Sequence, residues 1–318
     1  MPRFQKTLTS ALIIIIGVCT ISEFAHAQQA ATQKIERSAS SYSEAIQQTE
    51  HAIDTLMNGQ NIPGIQLAVW HDGEMVLSRG FGYADLEHKV AVWPYTKMRI
   101  GSVSKTLTSA AVGKLHQQGK LNLNAPVQQY VGYFPEKEYK ITTRQVAGHV
   151  AGIRHYRDGE FLSNQFYPTV KEGIQIFAED TLLFEPGTDY SYSSYGWNLV
   201  SAVVEEAAGE PFLSYMKEEV FDRIRMDHTV AEYKDSLINH RSSYYVRSEN
   251  GTILNAPAVD NSYKWAGGGF IGTAEDLMGA ALFLSSRAGA YVTGCILPLD
   301  GGIGTMTGGD LFEAGREA

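Results

Sequence analysis

Extended-chain signals cluster at the two ends of this sequence and leave a long helical stretch between them, which limits the folds open to it. Gly64 to Trp70 and Met75 to Ser78 are short apolar runs around Asp72-Gly73, a hairpin signal. Tyr244 to Arg247 and Thr252 to Leu254 flank Asn250-Gly251 in the same manner. From about 120 to 235 the pattern reads as mostly helical, with Pro and Gly punctuation. Helices are also expected over Ser43 to Met57, with Ile46, Ile53 and Leu56 on one face, over Val103 to Gln118, and over Ala274 to Ser286. Lys97 to Ile100 reads as a short strand. The implied class is α+β: an antiparallel sheet flanked by helices, carrying an all-helical insertion.

Charge and cysteine count remove several functions. There are 26 Lys+Arg against 35 Asp+Glu, a formal net charge of −9. An acidic chain without a basic run lacks the phosphate-neutralising surface that dominates nucleic-acid affinity, so no nucleic-acid partner is expected. Two cysteines, Cys19 and Cys295, support neither a disulfide scaffold nor a cysteine zinc site. His149 and His155 are not at helical ligand spacing and no H-E-x-x-H occurs, so no metal is expected. Gly267-Gly268-Gly269-Phe270-Ile271-Gly272 fits G-x-G-x-x-G by letter, but no strand–helix–strand unit surrounds it. No nicotinamide or other cofactor is expected, and the partner is a small-molecule or peptide substrate. An oligomer is possible but not readable.

The N-terminus reads as an export address: Arg3 and Lys6, an apolar run from Ala11 to Cys19, then Ala25-His26-Ala27 as a cleavage signal. The expected division is a signal peptide over 1–27, a leader over 28–42, a catalytic-type domain over 43–279 and a divergent tail over 280–318. The mature chain would be periplasmic or secreted.

The sharpest chemical feature is Ile100-Gly101-Ser102-Val103-Ser104-Lys105. A serine hydroxyl is a weak nucleophile at neutral pH and needs a base. Residues three apart share a helix face, so Ser102 and Lys105 are placed to touch. The helix start would aim N–H groups and positive potential at an oxyanion formed there. S-x-x-K recurs at Ser214-Tyr215-Met216-Lys217, where it reads as surface. Ser102 alone of the two follows a Gly and a short strand. Phe184-Glu185-Pro186-Gly187-Thr188 then breaks the chain ahead of Tyr190-Ser191-Tyr192-Ser193-Ser194-Tyr195-Gly196-Trp197, which leaves a tyrosine and hydroxyls in a tight loop before a helix. A tyrosine set against Ser102 and Lys105 can pass protons.

Together these segments resemble the serine β-lactamase and penicillin-binding family, in its class C, D-alanyl-D-alanine carboxypeptidase and esterase branch. Ser102-Val103-Ser104-Lys105 matches the first motif, Ser as nucleophile and Lys as partner. Counting back from Gly196-Trp197 puts the family tyrosine at Tyr192, not Tyr190, and places Ser194 at the usual asparagine position, where the resemblance implies substrate binding. Ile62-Pro63-Gly64, Gly82-Tyr83-Ala84-Asp85, Phe134 to Tyr139, Gly152-Ile153-Arg154-His155-Tyr156 and Val259 to Phe270 are similar to the mitochondrial serine β-lactamase-like subgroup and its bacterial relatives.

The resemblance implies the β-lactamase/transpeptidase-like fold. It also implies an exported hydrolase that opens amide or ester bonds through an acyl-enzyme on Ser102. The family's third motif, Lys-Thr-Gly or His-x-Gly, has no clear counterpart: Val292-Thr293-Gly294 and Met306-Thr307-Gly308 lack a preceding cation. The segment from about 280 resembles the carboxyl end of short-chain dehydrogenases instead. Incomplete C-terminal strands are therefore expected. The alternative expectation is a truncated, catalytically weak member that serves as a binding or assembly module.

Overall fold

A computed structural model describes residues 37–38 and 40–285, with side chains from 41 to 281. The cleavage signal, Cys19, Cys295, Val292-Thr293-Gly294 and Met306-Thr307-Gly308 lie outside the described residues.

The N-terminal hairpin is longer than the apolar runs suggest: β2 is Gly64–His71 and β3 is Glu74–Asp85. Asp72 and Gly73 both have positive φ, 50° and 81°. That is the turn whose twist matches the flanking strands, and Asp-Gly is well suited to it. β1 (Arg37–Ser38) and β4 (Val90–Ala91) also pair antiparallel with β3. Helix α1 (Ser43–Gln60) ends at Asn61, left-handed at φ 54°, whose N–H is donated to Met57 O. Its half-buried apolar residues are Ile46, Ile53 and Met57; Leu56, expected on that face, is 43% exposed. The inward stripe runs through 46, 50, 53 and 57 at spacings of three and four, which leaves Leu56 on its edge.

A second sheet is small and antiparallel: β5 (Met98–Arg99) and β6 (Val230–Ala231) flank β9 (Phe270–Gly272). β7 (Tyr245–Arg247) and β8 (Ile253–Asn255) form the expected hairpin, with Gly251 at φ 83°. Helix α2 (Val103–Gln117) leaves β5 through Ile100 and Gly101.

The middle is less helical than its composition implies. α3 (Thr143–Ala147) and α4 (Val170–Ile174) are short. Each opens on a capping box, Thr142 with Gln145 and Thr169 with Glu172, in which threonine and N3 side chain satisfy each other's backbone N–H. Gly148 follows the first directly, and the second gives way to turns from Gln175. The irregular stretch between them is tied by Arg154, which donates to Glu160 through both Nη atoms at 2.6 and 3.0 Å, to Asp180 Oδ2 at 2.5 Å and to two backbone carbonyls. A buried guanidinium needs such full pairing.

The core lies where α2 meets α5 (Ser194–Ala208), which is buried from Ser194 through Val204. Leu107, Ala111 and Leu115 of α2 pack with Leu199, Val200 and Val203 of α5, and with Phe134, Phe177 and Phe270. α6 (Phe212–Tyr215), continued by a π turn over Met216–Phe221, adds Phe212 and Met216. The short α7 (Trp265–Gly268) packs against both long helices. α8 (Ala274–Ser285) closes on β2, where Gln66 Oε1 accepts Ala274 N–H at 3.1 Å. Among the described residues no helix is long and apolar enough to cross a membrane.

Candidate active site

Four parts of the chain meet at one point: the start of α2, the start of α5, the end of α7 and the irregular segment 149–156. Gly101 makes the first possible. Its φ of 49° is a left-handed conformation that disfavours a side chain, and it turns the chain from β5 sharply into α2. Ser102 follows as the N-terminal flanking residue of α2, where helical N–H groups carry partial positive charge.

Ser102 Oγ lies 2.7 Å from Tyr192 OH and accepts from Lys105 Nζ at 3.1 Å. Lys105, one turn into α2, is 6% exposed. It also donates to Ser194 Oγ at 3.1 Å and to Gly267 O at 2.5 Å. An ammonium has three hydrogens, and three acceptors face it. Burial, reinforced by the charge of Lys264, pushes Lys105 down to about 7. Neutral amine is thus abundant near pH 7. In that form two hydrogens serve Gly267 O and Ser194 Oγ, and the lone pair is left toward Ser102. The carbonyl of Gly267 can only accept, which orients the amine.

Tyr192 sits on the irregular stretch before α5, 38% exposed. Burial of its hydroxyl pushes it up, partly opposed by its contacts with Ser102 and Ser194. It is therefore a phenol at neutral pH. Tyr190 is 60% exposed, and its ring meets His149 at 5.9 Å. Ser194, expected to bind substrate, is 5% exposed and turns its hydroxyl to Lys105.

The second S-x-x-K behaves as its position suggests. Lys217 is exposed and pairs with Asp222 at 2.7 Å. The G-x-G-x-x-G letters fall on α7 and β9, where Gly267 packs against Ser194 and offers its carbonyl to Lys105. Among the described residues, no group of three or more His, Cys, Asp or Glu could hold a metal.

Sequence reasoning passed over three residues. His149 and His155, read as isolated histidines, are half-buried beside Tyr192, with ring centroids 4.5 and 5.5 Å from its ring. Burial and the charge of Lys105 lower both to about 4. Lys264, quoted within a motif and given no role, is 5% exposed, donates to Phe161 O at 2.9 Å and lies 4.4 Å from the Phe161 ring centroid. Burial, with Arg99 nearby, lowers it to about 7. The available signal was placement: His155 and Lys264 stand within segments that carried the family likeness, and His149 lies three residues before one.

The fold is of the β-lactamase/transpeptidase class. A penicillin-binding protein homologue from Pyrococcus abyssi superposes with a TM-score of 0.66 at 22% identity, over 80% of this chain and 62% of that one. A class C beta-lactamase solved in complex with cefoxitin gives 0.65 at 17% identity, over 79% and 69%. This chain belongs to the beta-lactamase family, whose model matches residues 49–293. Among curated proteins it is 32% identical over 321 residues to the mitochondrial serine beta-lactamase-like protein LACTB of Homo sapiens, across 79% of this chain and 58% of that protein. It is 25% identical to Protein flp of Staphylococcus aureus, across 66% of this chain and 43% of that one. The chain thus spans less than two thirds of the length of these relatives.

Proposed function

We propose that this protein is an exported serine hydrolase that cleaves amide or ester bonds through an acyl-enzyme on Ser102. The carrying observation is that Ser102 Oγ lies within hydrogen-bond reach of both Tyr192 OH and a buried Lys105 that titrates near neutrality. In this reading neutral Lys105 takes the Ser102 proton as Oγ attacks the acyl carbonyl. The Ser102 N–H, at the head of α2, faces the oxyanion. Tyr192, a phenol, hands a proton to the departing amine or alcohol and is reprotonated from Lys105. Water then attacks the acyl carbon, its proton passing through Tyr192 to Lys105; the bond to Ser102 Oγ breaks, Lys105 returns a proton to that oxygen, and the acid leaves. Ser194 acts by sharing the lysine's hydrogens. Export rests on the Arg3/Lys6, apolar and Ala25-His26-Ala27 pattern. The direct test is a fluorophosphonate or penicillin probe followed by peptide mapping. Label on Ser102, with turnover of a chromogenic ester, supports the reading; its absence from Ser102 overturns it.

Two further results are expected. Tyr192→Phe lowers kcat/KM for that ester by about 10²–10⁴-fold, the usual worth of a positioned proton-transfer group, whereas Tyr190→Phe changes it little. The reverse ranking would mean that the other tyrosine serves Ser102. Lys264→Met removes a positive neighbour of Lys105, so the lysine holds its proton more tightly. The acidic limb of the kcat/KM profile then moves to higher pH. A limb that stays in place would show that Lys264 has no electrostatic hold on the site.

A further inference from the structure

Tyr192 stands on a segment without regular secondary structure, yet its hydroxyl must be fixed to within a fraction of an ångström of Ser102 to move a proton. Its own ring is substantially exposed, so packing alone does not fix it. The backbone around it is held from one direction. Ser191 N–H donates to the carbonyl of His149 at 3.0 Å, and Ser193 N–H donates to Nδ1 of the same residue at 3.0 Å. Ser194 N–H donates to Nδ1 of His155 at 3.1 Å. His149 thus brackets Tyr192 with its main chain on one side and its side chain on the other. The Tyr192 ring meets both imidazoles, tilted 31° to His149 and near-perpendicular, 81°, to His155.

The protonation state follows from donors and acceptors. A backbone N–H can only donate, so each Nδ1 must be a bare acceptor. Each ring is then the neutral tautomer with its proton on Nε2. Such a ring has no second lone pair for the Ser102 proton, which excludes either histidine as the base. His149 also stands at φ 62°, a left-handed conformation unfavourable for a non-glycine residue. The surrounding chain over-determines that conformation: His149 N–H reaches Val146 O at 3.2 Å and Val150 N–H reaches Gln145 O at 3.0 Å. Backbone held against its preference at this point aims the imidazole at Ser193.

We infer that His149 and His155 are positioning residues. Through Nδ1 they accept the N–H groups of Ser193 and Ser194, and so they hold Tyr192 against Ser102 for proton transfer. The inference rests on the reading of Ser102 as nucleophile.

Two replacements separate this role from mere filling of space. Asparagine places an acceptor oxygen near the Nδ1 position, and glutamine places one near Nε2. The full chain, the four variants His149→Asn, His149→Gln, His155→Asn and His155→Gln, and a fluorophosphonate probe suffice. Misplacement by about 1 Å costs up to about 10²-fold, so the glutamine variants should acylate Ser102 about 10–100 times more slowly, while the asparagine variants stay within about threefold. The loss should fall on kcat of the chromogenic ester, with KM little changed. Equal rates for asparagine and glutamine at either position, with comparable melting temperatures, overturn the inference for that residue. Long-range ¹H–¹⁵N spectra of the wild-type imidazoles at pH 7 supply an activity-free readout. Unprotonated Nδ1 on both rings is expected, and a proton on Nδ1 overturns the tether. If Ser102 takes no probe in the wild type, the hydrolase reading fails, and the imidazole spectra alone decide the tether.

Discussion

Ser102→Ala is expected to remove covalent labelling and to lower ester hydrolysis by about 10⁴-fold or more, because loss of a nucleophile costs several orders of magnitude. The fold should survive. Ser102 is half-buried at the head of α2, and its side-chain partners are Tyr192 and Lys105. Truncation releases two hydrogen bonds at a site open to water on the Tyr192 side. A melting temperature near that of the wild type, together with lost turnover, is the expected pair of results. Turnover retained within a few-fold would remove Ser102 from the chemistry.

Lys105→Arg is expected to be nearly as severe, with a loss of about 10³-fold or more, although it preserves the positive charge. A guanidinium does not deprotonate in proteins, so it cannot take the Ser102 proton. It is also planar and longer than an ammonium. It cannot serve Ser194 Oγ, Gly267 O and Ser102 Oγ from one point as Nζ does. The wild-type pH profile is the companion measurement. A base that titrates at about 7 is active above that pH and protonated below it. Consequently kcat/KM should fall tenfold per unit as pH drops well below 7. A profile flat down to pH 5 would assign the proton to another group.

Local pattern was legible where one residue type dictates geometry. Asp72-Gly73 announced its turn, with both residues at positive φ. Ser102, Lys105, Tyr192 and Ser194 could be singled out because two of them share one helical turn and the others stand at a fixed count from Gly196-Trp197. The structure brings these four together. What stayed hidden depends on long-range approach. Gly267 O reaches Lys105 across 162 positions, and Ser194 N–H meets His155 across 39. Neither acceptor has a signature in local sequence, since any carbonyl and many histidines look alike there. The middle segment misled for a different reason. Its capping boxes and apolar residues promise helices, but each lasts about a turn, and between them Arg154 supplies the order that helical hydrogen bonds would have given.

One hydroxyl has a double duty. Ser193 Oγ accepts Gly196 N–H at 2.9 Å, which caps α5, and donates to Arg154 O at 2.6 Å. The Ser193 hydroxyl thus joins the first turn of the main core helix to the strap that carries both histidines, beside the N–H bonds that Ser193 and Ser194 make to the imidazoles. Fraying of that helix end cannot remain a harmless surface fluctuation. An opening at Gly196 frees one of the groups that hold the strap, so under the proposed mechanism looseness at this helix end would pass to the placing of Tyr192.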